Sequence, residues 1–180
     1  MSDKILSPQA LRARLAKVKL FLCDVDGVLT DGGVYVSAGN ETKRFHIPDG
    51  LGIVLLRREG IRVGWISNRP SPATQARAEE LKIDFLVQQK GNKAEFIEDI
   101  LRETSLSWED ICFIGDDIVD LCVLRRAGLA VSVANAGAEA RKAAHFVTRA
   151  AGGHGAIREV IEMILKAQKK WRRLIEEHSR

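Results

Sequence analysis

A chain of 180 residues with 46% hydrophobic and 29% charged residues fits one domain around one core and excludes a disordered or fibrous protein. Its longest apolar runs are strand-sized, far short of the roughly 20 residues a bilayer span needs, so no membrane partner is expected. The net charge of +4 owes much to Lys166, Lys169, Lys170, Arg172 and Arg173 near the C-terminus, interrupted by Glu176 and Glu177, which reads as a solvated helix face rather than a nucleic-acid surface. The stretch through Val18 lacks the apolar core of a secretory signal, which points to the cytoplasm. Three cysteines (Cys23, Cys112 and Cys122) form no C-x-x-C pair and read as reduced thiols.

Short apolar runs alternate with amphipathic stretches, the pattern of an α/β fold with a parallel sheet. Ser7 and Pro8 start a helix over 8–17, and 18–23 is the first central strand. Residues 34–36 and 42–46 then flank the turn-rich Ala38-Gly39-Asn40 and predict a β-hairpin within 33–46. A helix over 50–59 ends at Gly60, and 62–66 is a strand. Ser71 and Pro72 open the next helix, followed by a strand at 85–87 and a helix from the Asn92 cap to about Thr104. After one turn capped by Ser107 come a strand at 111–114, a helix at 117–126, a strand at 129–133, a short helix at 138–144 and a strand at 145–148. A single last helix over 155–177 places Ile157, Val160, Ile161, Ile164, Leu165, Gln168 and Trp171 along one stripe.

The chemistry concentrates in two acidic clusters that each follow an apolar strand. Asp24-Val25-Asp26-Gly27-Val28-Leu29-Thr30 is the first and Gly115-Asp116-Asp117-Ile118-Val119-Asp120 the second. Ligands of open α/β sheets bind at the carboxyl ends of strands, where both clusters fall. Residues two apart on an extended chain point the same way, so Asp24 and Asp26 can converge. Carboxylates held close repel unless a cation sits between them, and Mg²⁺ takes one or two carboxylates plus substrate phosphate. Ser67 at a strand end, with the amide of Asn68 beyond it, offers an anion nest. Lys93 at a helix start offers a point charge for phosphate. The chain holds no H-E-x-x-H, no G-x-x-x-x-G-K-[ST] and no G-x-G-x-x-G.

In these four motifs the chain resembles the haloacid dehalogenase-like superfamily. The resemblance implies a Rossmann-like three-layer parallel sheet forming one hydrolase domain over 1–180. It implies that Asp24 attacks phosphorus while Asp26 protonates the leaving alcohol and then activates water. Ser67 and Lys93 would hold the phosphate. Mg²⁺ would be bound by Asp24, the backbone carbonyl of Asp26, and Asp116, with Asp117 and Asp120 closing or orienting the shell. Only a hairpin and one helix separate Thr30 from Ser67, and about one helix and one strand separate Ser67 from Lys93, so there is no cap domain.

The capless, hairpin-bearing pattern resembles the 3-deoxy-D-manno-octulosonate 8-phosphate phosphatases. Asp24–Gly32, Asp49–Ile53, Ile114–Asp117 and Gly152–Glu159 carry that likeness. It implies a sugar-acid phosphate as substrate, a step toward lipopolysaccharide, and a homotetramer whose hairpins meet. Thr30, Asp49, Gly50, Asn68 and Arg69 would line the substrate, with Arg69 facing its carboxylate. Asn68-Arg69-Pro70, Pro48 and His154 depart from the family pattern. A phosphatase of another keto-sugar acid, such as an N-acylneuraminate 9-phosphate, and a non-catalytic oligomerisation module are the alternatives.

Overall fold

The computed structural model describes residues 5–179. Helix α1 (Pro8–Lys17) is capped by Ser7, whose hydroxyl accepts from the Ala10 amide, and leads into β1 (Leu20–Cys23). A hairpin of β2 (Tyr35–Ser37) and β3 (Asn40–Thr42) follows, then α2 (Ile47–Arg58), β4 (Arg62–Ser67), α3 (Pro72–Glu80), β5 (Phe85–Gln88) and α4 (Lys93–Thr104). The second half contains β6 (Ile111–Gly115), α5 (Leu121–Leu124), β7 (Leu129–Ser132), α6 (Ala138–Ala143), β8 (Phe146–Val147), α7 (Ala156–Ala167) and α8 (Trp171–His178).

Six strands form one sheet in the order β5-β4-β1-β6-β7-β8, every pair parallel. With the hairpin set aside, this is the doubly wound order, whose direction of winding reverses between β1 and β6. Helix α2 packs on α7, which also meets α1, while α4 packs on α5 and α5 on α6. Right-handed crossovers in opposite senses from the reversal point place these two groups on opposite faces, giving three layers. Every residue of β1, β6 and β7 is buried, whereas the edge strands β5 and β8 are only partly covered. A strand with both faces covered needs a continuous apolar run, which is why Leu20-Phe21-Leu22-Cys23 and Ile111-Cys112-Phe113-Ile114 show no alternation.

Four expectations about the elements change. The hairpin turn is Ala38-Gly39, both with positive φ (37° and 85°), so Asn40 already pairs with Ser37 and the second strand ends at Thr42. Residues 43–46 leave the hairpin, and Phe45 bridges back to Thr30 and stacks on Trp65. Helix α2 starts three residues earlier than the sequence implied, because Pro48 in its first turn has no amide to leave unpaired. The helix at 117–126 contracts to a tight turn at Ile118–Asp120 followed by α5, since the Asp120 carboxylate turns back onto the amides of Asp116 and Asp117. The long last helix is two. Lys169 adopts φ 60°, the Lys170 amide donates to Leu165, and α8 folds back to bury Leu174 and pair Arg173 with Glu59 of the α2 end.

Candidate active site

The sheet register sets the site. Cys23 pairs with Trp65 on one side and Ile114 on the other, so β1 ends level with its two neighbours at the reversal point. The Asp24 amide still donates to the Ile114 carbonyl at 3.0 Å, which extends the ladder by one residue and aims the carboxylate beyond it. Asp24, Asp116 and Asp120 each offer an oxygen within 4.8 Å of the others.

Two glycines make that approach possible. Gly27 has φ 87°, and a Cβ there would lie 2.1 Å from Asp116 Oδ2; a Cβ on Gly115 would lie 2.6 Å from the Asp120 side chain. Thr30 closes the first loop, its hydroxyl oxygen accepting from the Gly27 and Gly32 amides at 3.3 and 3.2 Å. Gly152 and Gly153 press against the same loop, where the Gly153 amide donates to Val28 at 3.0 Å.

Lys93, 1% exposed, sits at the first position of α4 behind an Asn92 cap. Its ammonium lies 2.9 Å from Asp24 Oδ1 and 2.7 Å from Asp120 Oδ1. Asp120 is fully buried, and its other oxygen accepts from the Asp116 amide at 2.9 Å. Burial pulls the Lys93 ammonium down, but Asp120 and Asp24 outweigh it and hold the group above its ordinary value. Burial, then Asp120, push Asp24 up to about 6 against the pull of Lys93. Burial, then Asp24, Asp120 and Asp117, push Asp116 up to about 7. One ammonium does not balance these carboxylates. A hard divalent cation with oxygen ligands would, and Asp24, Asp116 and Asp120 bring the oxygens that could meet it.

The remaining residues singled out in the sequence divide. Ser67 is 2% exposed at the end of β4, beside β1, and its hydroxyl accepts from the Arg69 amide at 3.1 Å. Asn68 follows it, half-buried, with Oδ1 lacking a partner. The Arg69 side chain is exposed, and its guanidinium fork grips both oxygens of Glu41 on β3. Asp117 is not gathered with the other carboxylates, because its side chain caps the Ile118 amide at 2.7 Å. Thr30 is fully buried in its own loop.

Asp49 is held inside the protein. It is 1% exposed, and its oxygens accept from the Arg158 and Gly155 amides at 2.7 and 3.2 Å, capping the start of α7. Gly50 beside it gives room to Arg77, whose guanidinium would lie 2.4 Å from a Cβ. His154 is exposed, with its ring nitrogen 3.2 Å from the Gly152 carbonyl.

Sequence reasoning missed two residues, Glu41 on β3 and Lys43 just beyond its end. Lys43 is buried and lies 2.7 and 3.0 Å from the two oxygens of Asp26. Glu41 accepts from Ser71 at 2.6 Å as well as from Arg69, and these donors hold its carboxyl below the usual range. Their signal was faint: two charges two apart in an extended stretch can share a side, without saying what that side meets.

A strand-end aspartate beside a buried lysine, with a second aspartate-bearing loop at the reversal point of a parallel sheet, defines a hydrolase of the phosphoryl-transfer type. The family model for haloacid dehalogenase-like hydrolases matches residues 56–161, and the chain belongs to that family. Within it the chain groups with the 3-deoxy-D-manno-octulosonate 8-phosphate phosphatases. The Yersinia pestis enzyme of that name is 40% identical over 87% of this chain and 84% of its own. The Moraxella catarrhalis enzyme, solved with a magnesium ion, a phosphate ion and a KDO molecule, superposes with a TM-score of 0.93 at 35% identity, covering 96% of this chain and 99% of that one. A cobalt-bound form of the Haemophilus influenzae phosphatase has a TM-score of 0.85 at 38% identity over 88% of this chain and 93% of that one.

Proposed function

We propose that this chain hydrolyses 3-deoxy-D-manno-octulosonate 8-phosphate through an aspartyl-phosphate on Asp24. The observation that carries the reading is the buried junction of Asp24, Asp116, Asp120 and Lys93 at the end of the central strands. Relatives named for that substrate, similar over most of their length, support it. Asp24, the backbone carbonyl of Asp26, and Asp116 would hold a Mg²⁺ ion, which when bound would offset the negative charge of the transferring phosphoryl group.

The residues of the chain do the rest. A carboxylate oxygen of Asp24 forms a bond to phosphorus as the bond from phosphorus to the ester oxygen breaks, and the Asp26 carboxyl group gives that oxygen its proton. Asp26 then takes a proton from water as the water oxygen bonds to phosphorus and Asp24 is released. Lys93 anchors Asp24 from behind and adds positive charge where the phosphate sits, and Ser67 and Asn68 supply polar contacts from β4.

Two further proposals concern the surroundings. The chain assembles as a homotetramer through its hairpin: Tyr35 and Val36 are 64% and 77% exposed, and Ile47, Leu51 and Val54 leave an exposed apolar stripe on α2. It resides in the cytoplasm, a setting that suits three cysteines left as free thiols, two of them buried. Among the described residues no helix is long and apolar enough to cross a membrane.

A phosphate-release screen across sugar-acid phosphates, with Mg²⁺ and then with chelator, tests the reading. Turnover confined to the eight-carbon ester and abolished by chelator supports it. Preference for a nine-carbon N-acylneuraminate 9-phosphate moves the substrate, and absence of any release refutes the enzyme.

A further inference from the structure

Lys43 has no place in the four motifs, yet it is among the most enclosed charged groups in the protein, with a side chain 0% exposed. Three oxygens lie within reach of its ammonium, which donates to Asp26 Oδ2 at 3.0 Å and Thr74 Oγ1 at 3.2 Å and is ion-paired with Asp26 Oδ1 at 2.7 Å, an oxygen that has no hydrogen-bond donor of its own. A fourth, Glu41 Oε1, lies at 3.8 Å. Burying a lysine head group is costly unless it is paired and hydrogen-bonded, and this one finds its ion-pair partner in Asp26.

The consequence falls on Asp26. Its carboxylate is absent from the cluster of Asp24, Asp116 and Asp120, although it stands only two residues from Asp24. A carboxylate that close to a cation site is drawn to the cation as a ligand unless another positive charge holds it. Lys43 is that charge. We propose that Lys43 is a positioning residue: carried in by the chain leaving the hairpin, it keeps the Asp26 carboxyl group clear of the cluster and in the pose from which it exchanges a proton with the ester oxygen. The proposal rests on the phosphatase reading above. It also makes the hairpin part of the catalytic apparatus of its own subunit, since Glu41 latches the same segment to Arg69 and Ser71.

Leaving-group chemistry isolates this role. A sugar alkoxide needs a proton as it departs, whereas 4-nitrophenolate is stable enough to leave without one. The ratio kcat/KM reports events up to alcohol release, so the second, water-activating use of Asp26 does not enter it. In Lys43→Met, kcat/KM for the sugar-acid phosphate is expected to fall about 10²-fold, the scale of general acid catalysis. For 4-nitrophenyl phosphate it is expected to fall at least ten times less, and Lys43→Arg is expected to recover part of the sugar-phosphate loss. Thr74→Val, which removes one of the three oxygens without removing the charge, should shift the same ratio in the same direction by a smaller factor, and it serves if the lysine variant does not fold. Equal losses on both esters, or no loss on either, overturn the proposal while wild-type turnover leaves the phosphatase reading standing. A wild-type protein inactive on both esters overturns both.

Discussion

The strand-end cluster and the hairpin meet at the carboxyl end of the central strands but are built by opposite means. Asp24, Asp116 and Asp120 have short side chains, so their mutual approach is decided by backbone: ladder bonds hold β1 against β6, and Gly27 and Gly115 remove the Cβ atoms that would block contact. The hairpin has only three paired positions and an exposed surface on both strands. It joins the site through long side chains, Glu41 to Arg69 and Lys43 to Asp26. A rigid floor and a tethered flap follow from that contrast, and variants of each should behave differently.

The largest effect is expected at the floor. Asp24→Asn removes the attacking oxygen's charge and should lower kcat by about 10⁴-fold or more, with assembly retained and melting within a few degrees of wild type. Circular dichroism and phosphate release on the same preparation check this, and full activity in the variant would refute the mechanism.

A smaller effect concerns charge. Asp24 and Asp116 are pushed up to about 6 and about 7, so the folded chain holds their protons more tightly than the unfolded chain. Stability of the metal-free protein therefore falls as pH rises from about 4 through about 7. The carboxyls held low, Glu41, Asp84, Asp110 and Glu162, act in the opposite sense, but only at the acid end of that window, below the ordinary carboxyl value. Thermal melts in chelator should run a few degrees higher at pH 5 than at pH 8, and Mg²⁺ should restore the difference at pH 8. A flat profile would mean the carboxylates do not share one buried field.

The smallest effect on the single chain belongs to the flap tip. Replacing exposed Tyr35 and Val36 by Ser should change the subunit's own stability by no more than about 0.5 kcal/mol each while lowering the association state. Sedimentation velocity reads the outcome, and an unchanged mass would place the subunit contact elsewhere.

Much of this was legible before any coordinates. Uninterrupted apolar runs marked β1, β6 and β7 as central, and Ser7, Ser71 and Asn92 marked helix starts that their side chains do cap. The acidic loops were legible because catalysis at strand ends leaves a local signature. What Asp49 and Thr30 contact was not legible, because a motif position says that a residue is needed without saying which backbone amides its side chain meets. Asp117 and Asp120 are both helix-start acids in sequence; only the tight turn separates the one that caps from the one that joins Lys93. The break at Lys169 escaped because the residue there is not glycine, and the polarity pattern runs through it unchanged.

By itself the sequence determined the parallel α/β layering and the two aspartate loops, since hydrophobic period and strand-end placement are local properties of a chain. Tertiary structure alone decided which carboxylate shares space with which cation. That choice depends on through-space distances of a few ångströms between segments far apart in sequence, such as the 2.7 Å that separates Lys43 from Asp26, and no spacing along the chain encodes them.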